Sequence, residues 1–277
     1  LATGRAFLTA LAVLLLLCCG SAHAADSCLG CHRPHYRSHY RELGSCVGCH
    51  RGDPRSDRMS VAHHGLVAAR FSWSGVPGSA PVARGNALLD TFACRRCHNT
   101  AGRGNRLASN LDQLPAGTTP ENLFASIEAP AQQMPDFKLE QGAITDLVNA
   151  LLTGARGATV RGKERPLVVH FETEGKGENV FEKKCGPCHK MLTAALGGVG
   201  RGTVGPNLSG LFSEFYPLTA AGLKRWDTPA LEKWLRNPRE FRPATQMRPV
   251  LLKKAEYDLL LQIMDPTSRP VAAKAAR

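Results

Sequence analysis

Apolar positions along the chain follow distinct patterns, and each pattern predicts a different element. From Ala10 to Cys19 the residues are apolar and uncharged without interruption, a run of about ten that is too short for a bilayer span of about 20. Further on, the apolar residues take helical spacing. Ile144, Leu147, Val148 and Leu151 stand at i, i+3, i+4 and i+7, and Tyr257, Leu260, Leu261 and Met264 repeat the stripe, so each predicts an amphipathic helix with one buried face. Ahead of each stripe a Thr-Pro pair opens another helix. At Thr119-Pro120-Glu121 the Thr is the cap and the Pro lies in the first turn, and Thr228-Pro229 leads into Trp234 and Leu235. The run Leu167-Val168-Val169-His170-Phe171 reads as a short strand whose His170 is a strand or interface residue. The stretch from Ser72 to Gly85, SWSGVPGSAPVARG, breaks periodicity and reads as a linker.

The first apolar run is a targeting segment. Arg5 gives it a positive start, and Ala22-His23-Ala24 supplies the small-x-small pattern cut by a signal peptidase. Residues 1–24 are therefore expected to be a signal peptide, with a mature start near Ala25. Leu17 before Cys18 is too large for a lipoprotein site. No longer apolar run follows, so a soluble or membrane-peripheral mature chain is expected.

With 43% hydrophobic and 21% charged residues, the chain is neither disordered nor collagen-like. Its formal charge of +12 could attract nucleic acid or acidic lipid, but the Arg and Lys residues are spread along the chain rather than gathered in one run, and nucleic acid is not expected as a partner. The ten Cys are more informative. Two lie in the targeting segment, and the other eight form four pairs at one spacing, each followed directly by His. The pairs are Cys28/Cys31 with His32, Cys46/Cys49 with His50, Cys94/Cys97 with His98 and Cys185/Cys188 with His189.

That pattern is the attachment signature of c-type haem. Two thiols three positions apart on a helical turn can both add to the haem vinyl groups, while the next residue brings its imidazole under the iron. Zinc has no reason to require His directly after the second Cys each time, and a thioredoxin-like motif lacks that constraint. The expectation is four covalently bound haem c groups on the eight Cys, with His32, His50, His98 and His189 as proximal iron ligands and no thiol left for a disulfide.

Residues 25–84 hold two of these motifs and a surplus of His: His35, His39, His63 and His64. Bis-His ligation of both haems follows. His35 lies three residues past His32, on the proximal side of that haem, so it can reach only the second haem; His39 is its alternative. The first haem then draws its distal ligand from SVAHHGL, where adjacent helical residues point about 100° apart and cannot share one iron. His63 is favoured there, with His64 as the competitor.

Residues 85–155 and 166–266 share one plan of haem motif, Thr-Pro helix, Met and closing stripe, which marks an internal duplication. Both resemble class I cytochromes c. In the later copy, Gly177 and Phe181 match that family's N-terminal helix, Gly205-Pro206-Asn207-Leu208 its loop whose carbonyl orients the proximal His, and Met247 its axial sulfur. The earlier copy carries Met134 in the corresponding place, but has Leu89 instead of an aromatic and lacks a Gly-Pro pair after its motif. Met191 and Met264 are expected to be packing residues. The first segment is similar to closely spaced dihaem segments of multihaem cytochromes from respiratory bacteria.

The expected fold is mainly α: an N-terminal dihaem segment with little regular structure, two class I cytochrome c-like helical domains, and a disordered tail at 267–277. The resemblance implies an exported electron carrier of a respiratory chain, periplasmic or on the surface of a bacterium, and a carrier more than a catalyst. Redox proteins are the expected partners, a membrane quinol-oxidising complex among them, and peripheral membrane association is compatible with the sequence. A reductase or peroxidase with one open haem, and the protomer of a haem filament, are the alternatives.

Overall fold

The computed structural model describes residues 28–32, 46–76, 78–115, 117–131, 133–157, 179–220 and 222–265. The expected targeting segment, the strand expected at 167–171, Gly177 and the tail lie outside them. The chain is mainly helical and divides into a unit ending at Gly75 and a unit beginning at Val76. No helix among the described residues is long and apolar enough to cross a membrane.

In the first unit the described helices are short, two of them built from the motifs themselves: α1 is Cys28–Cys31 and α2 Cys46–His50, while α3 is Met59–Ala62, followed by a 3-10 helix at Ala69–Gly75. The loop after α2 is pinned at both ends, since the Val67 amide donates to the His50 carbonyl at 2.7 Å and the Asp53 amide to the Ala62 carbonyl at 3.0 Å. Among the described residues of this unit, Val67, Phe71 and Ser74 are buried. Small folds with few buried side chains depend on covalent staples.

The second unit contains both copies of the duplicated plan, packed as one body. The stretch Ser72–Gly85, read as a linker, does contain the division between the units at Gly75 and Val76, but it is structured at both ends: its start belongs to the 3-10 helix, and α4 runs from Ala80 to Thr91 straight through residues 84 and 85. Pro81 is no obstacle because it sits in the first turn, where its missing N–H would be unpaired anyway. Gly85 is required by packing. A Cβ there would lie 2.1 Å from the Asp146 carbonyl oxygen and 2.7 Å from Ala150 Cβ, so its bare backbone is where α4 crosses α6, Gln141–Gly157. Leu89 on α4 joins Leu147, Ala150 and Leu151 in the core, and each such large side chain contributes about 1.5–3 kcal/mol by burial. All four residues of the first stripe are buried.

Between them, α5 (Pro120–Glu128) starts as its sequence predicts: Thr119 accepts from the Asn122 amide at 3.1 Å, and Asn122 accepts from the Thr119 amide at 3.0 Å. In the later copy, α7 (Val180–Lys184), α8 (Thr228–Arg236), α9 (Pro238–Phe241) and α10 (Lys254–Met264) surround a core of Phe181, Met191, Leu211, Trp226, Leu235 and Leu260. The cap of α8 is Asp227, whose carboxylate accepts from the Ala230 amide at 2.8 Å. Met191 and Met264 pack in this core, as expected. An antiparallel hairpin, β1 (Met191–Thr193) with β2 (Gly197–Val199), adds two strands that no periodicity announced.

Candidate functional site

Each Cys-x-x-Cys-His segment folds as a tight turn that gathers its own three functional side chains. The His98 amide donates to the Cys94 carbonyl at 3.1 Å and the His189 amide to the Cys185 carbonyl at 2.8 Å, closing the turn so that the imidazole follows the second thiol. None of the eight Cys of the four pairs is joined in a disulfide. Burial pushes the Cys94 and Cys185 thiols up to about 11 and raises Cys97 against the pull of Arg96. These are the reverse of the lowered values that make a redox-active or zinc-binding thiolate. Thiols outside any disulfide, each pair beside a His, suit thioether attachment.

The four pairs, alike in sequence, differ in their surroundings. Cys188 is exposed while its partner Cys185 is buried in the core around Phe181. The reason is local: the loop that follows covers the backbone of Cys188 and not its thiol. The Gly205 amide donates to the Cys188 carbonyl at 2.8 Å, and a Cβ on Gly202 would lie 2.2 Å from the Cys188 carbonyl carbon. Cys49 is half-buried because the end of the 3-10 helix presses on it, so closely that a Cβ on Gly75 would lie 2.8 Å from Cys49 Cα and 3.1 Å from its Sγ. Neither thiol is sealed into a core, so both stay open to addition to a vinyl group.

The imidazoles of the second unit are held alike. His98 Nδ1–H donates to the Ser109 carbonyl at 2.9 Å, and His189 Nδ1–H donates to the Pro206 carbonyl at 2.8 Å. Each bond fixes the tautomer and leaves Nε2 with its lone pair, as an iron ligand requires, and makes the ring a stronger donor. Burial lowers the pKa of His98, opposed by the Ser109 bond, which keeps the ring in its neutral, ligating form. The Gly205-Pro206 loop thus orients His189 as the resemblance implies. A Cβ on Gly205 would lie 2.2 Å from His189 Cε1, so the loop backbone rests directly against the ring. In the earlier copy Ser109 takes the role of the missing Gly-Pro pair. A backbone carbonyl leaves no mark in the side-chain sequence, and nothing there pointed to Ser109.

Met247 is half-buried on the segment between α9 and α10, and the Trp234 indole N–H donates to its Sδ at 3.0 Å. Met134 is half-buried between α5 and α6, with its amide donating to the Ala131 carbonyl at 3.2 Å. In the first unit His32 and His63 come together, their ring centroids 6.0 Å apart. His64 instead lines an open cleft with Asp53, Arg55 and Val61. His35 and His39 lie outside the described residues. The donor set in all four motifs therefore fits haem c: two thiols available for thioethers, and an imidazole beside them.

Residues 80–149 match the family described as cytochrome c oxidase, cbb3-type, subunit III, a stretch that starts on the first residue of α4. The chain is also similar to curated proteins named cytochrome c. That of Stellaria longipes is 34% identical over 104 residues, covering 33% of this chain and 91% of the relative. That of Kluyveromyces lactis is 35% identical over 91 residues, covering 30% and 78%, and that of Chlamydomonas reinhardtii is 33% identical over 105 residues, covering 34% and 88%. No solved structure matches. Cys-x-x-Cys thiols outside any disulfide, imidazoles anchored through Nδ1 and relatives covered over nearly their whole length converge: the chain belongs to the cytochrome c family, electron-transfer proteins with covalently bound haem c.

Proposed function

We propose that this protein is an exported tetrahaem cytochrome that carries electrons in a respiratory chain, from a quinol-oxidising membrane complex to a downstream acceptor. The observation that carries the proposal is the fourfold Cys-x-x-Cys-His motif with none of its thiols consumed in a disulfide. When bound, each haem supplies one iron that cycles between the ferric and ferrous states. The chain's residues hold it and set its potential. Cys28/Cys31, Cys46/Cys49, Cys94/Cys97 and Cys185/Cys188 fasten the groups covalently, and His32, His50, His98 and His189 are the proximal ligands. With haem bound, His63 and His35 would complete the ligation of iron in the first unit, and Met134 and Met247 would complete it in the second.

Met/His ligation raises a haem's potential above that of its bis-His counterpart. The first unit is then the low-potential end where electrons arrive, and the second unit the high-potential end from which they leave. The match of residues 80–149 to a family named for a subunit of a cytochrome c oxidase supports the respiratory placement. Mass spectrometry of the protein exported from its host tests the proposal, with a start near Ala25 and the mass of four haems expected. A mass fitting three haems or fewer overturns the tetrahaem assignment, and an uncleaved leader overturns export.

A further inference from the structure

The two copies of the duplicated plan meet at Asn207, the residue after the carbonyl that orients His189. Asn207 is buried, and its polar groups are engaged on several sides. Its carbonyl accepts from Arg96 Nη1 at 3.2 Å and from the Tyr216 hydroxyl at 3.2 Å. Its amide nitrogen Nδ2 donates to the Gln133 carbonyl at 2.9 Å, and its Oδ1 accepts from the Ser209 amide at 2.9 Å and hydroxyl at 2.6 Å. Arg96 lies between Cys94 and Cys97, and Gln133 immediately precedes Met134. One side chain and its own carbonyl thus grip both segments that frame the earlier copy's site while belonging to the proximal loop of the later one.

The junction is tight. A Cβ on Gly210, whose φ is +68°, would lie 2.5 Å from the Arg96 carbonyl oxygen, which also accepts from Asn105 Nδ2 at 2.9 Å. Arg96 further rests its guanidinium 5.7 Å from the centre of the Tyr216 ring.

We propose that Asn207 is a positioning residue that couples the His98 and His189 sites, so that the redox state of one shifts the potential of the other. The inference rests on the proposed function only in requiring haem at both motifs. His189 Nδ1–H donates to the Pro206 carbonyl, and with iron bound that pull would strengthen on oxidation, because a ferric ion would draw more charge from the ring. The next residue in the loop is Asn207, and any shift there is carried to the Arg96 turn on one side and the Met134 segment on the other. Coupling of this kind is reciprocal: each site moves the other by the same free energy.

The test is a redox titration, followed by visible and EPR spectra, of the full-length holoprotein and of Asn207→Ala, Arg96→Gln and the double variant, with haem counted in each. Asn207→Ala is expected to move two of the midpoints, although the residue belongs to one copy. Arg96→Gln is expected to lower the same two, since loss of a positive charge favours the ferric state. In the double variant the shifts should fall short of additive, as they do for residues in one network. Movement of a single midpoint in Asn207→Ala, or strictly additive shifts, overturns the coupling while leaving the haem count and the proposed function intact. Absence of haem from either motif of the second unit in the wild type overturns both. Should Asn207→Ala fail to load, Asn207→Ser, which keeps a hydroxyl for Ser209 but cannot reach the Gln133 carbonyl, is judged by the same two outcomes.

Discussion

A proximal His acts through what lies behind it. Because the Gly205 backbone touches the His189 ring, Gly205→Ala forces a Cβ to within 2.2 Å of Cε1, and the ring must turn away from the Pro206 carbonyl. Losing that bond weakens the imidazole as a donor. The expected result is a higher midpoint for one haem and a lower melting temperature, read by redox titration and calorimetry. Met134→Ala and Met247→Ala should each abolish the weak sulfur-to-iron charge-transfer band of one haem and lower its potential. A variant that leaves both unchanged marks its Met as a packing residue. The His189 anchor was legible because Gly205-Pro206 is a side-chain pattern. The His98 anchor was not, since Ser109 contributes only the carbonyl that every residue possesses. Nor could the motif tell Cys188 from Cys185, because what buries Cys185 is a core gathered from Phe181, Met191 and residues far along the chain.

Helices were legible where the sequence spoke twice, in caps and in stripes. Thr119-Pro120 and the Ile144 stripe both did so, and α5 and α6 form where they predict. Thr119→Ala should cost about 1 kcal/mol through loss of the cap, measured as a shift in the denaturant midpoint. The first half of α4 was hidden because Pro81 and Gly85 are locally read as helix breakers, while their roles are set by position and by a distant partner. Here two effects oppose each other. Ala is favoured over Gly in a helix by about 1 kcal/mol, but a Cβ at residue 85 would meet the Asp146 carbonyl oxygen at 2.1 Å, and overpacking typically costs about 1–3 kcal/mol. Gly85→Ala is therefore expected to destabilise, and a gain in stability would show that the α4–α6 crossing can open at little cost. The hairpin escaped notice for a different reason: three-residue strands, Met191–Thr193 and Gly197–Val199, are too short to establish a period of two.

At the scale of the whole molecule, the order of potentials proposed above assigns the donor to the first unit, and charge offers an independent check. Arg51 and Arg58 are exposed there, whereas Arg55 is held by Asp53, whose carboxyl it keeps at about 2. Cations left in solvent raise the encounter rate with an anionic donor, and salt removes that advantage once the screening length falls below about 10 Å, near 0.1 M. Reduction of the full-length holoprotein by an anionic reductant should slow steeply as ionic strength rises, while reduction by a neutral one should not. Arg51→Gln combined with Arg58→Gln should flatten the anionic dependence without moving the two highest midpoints, which the proposed ligation gives to the second unit. If those Arg residues serve only to balance haem propionates, the salt slope will survive the substitutions and the low midpoints will shift instead, so that the docking role of the first unit and the structural one give opposite readings in the same pair of measurements.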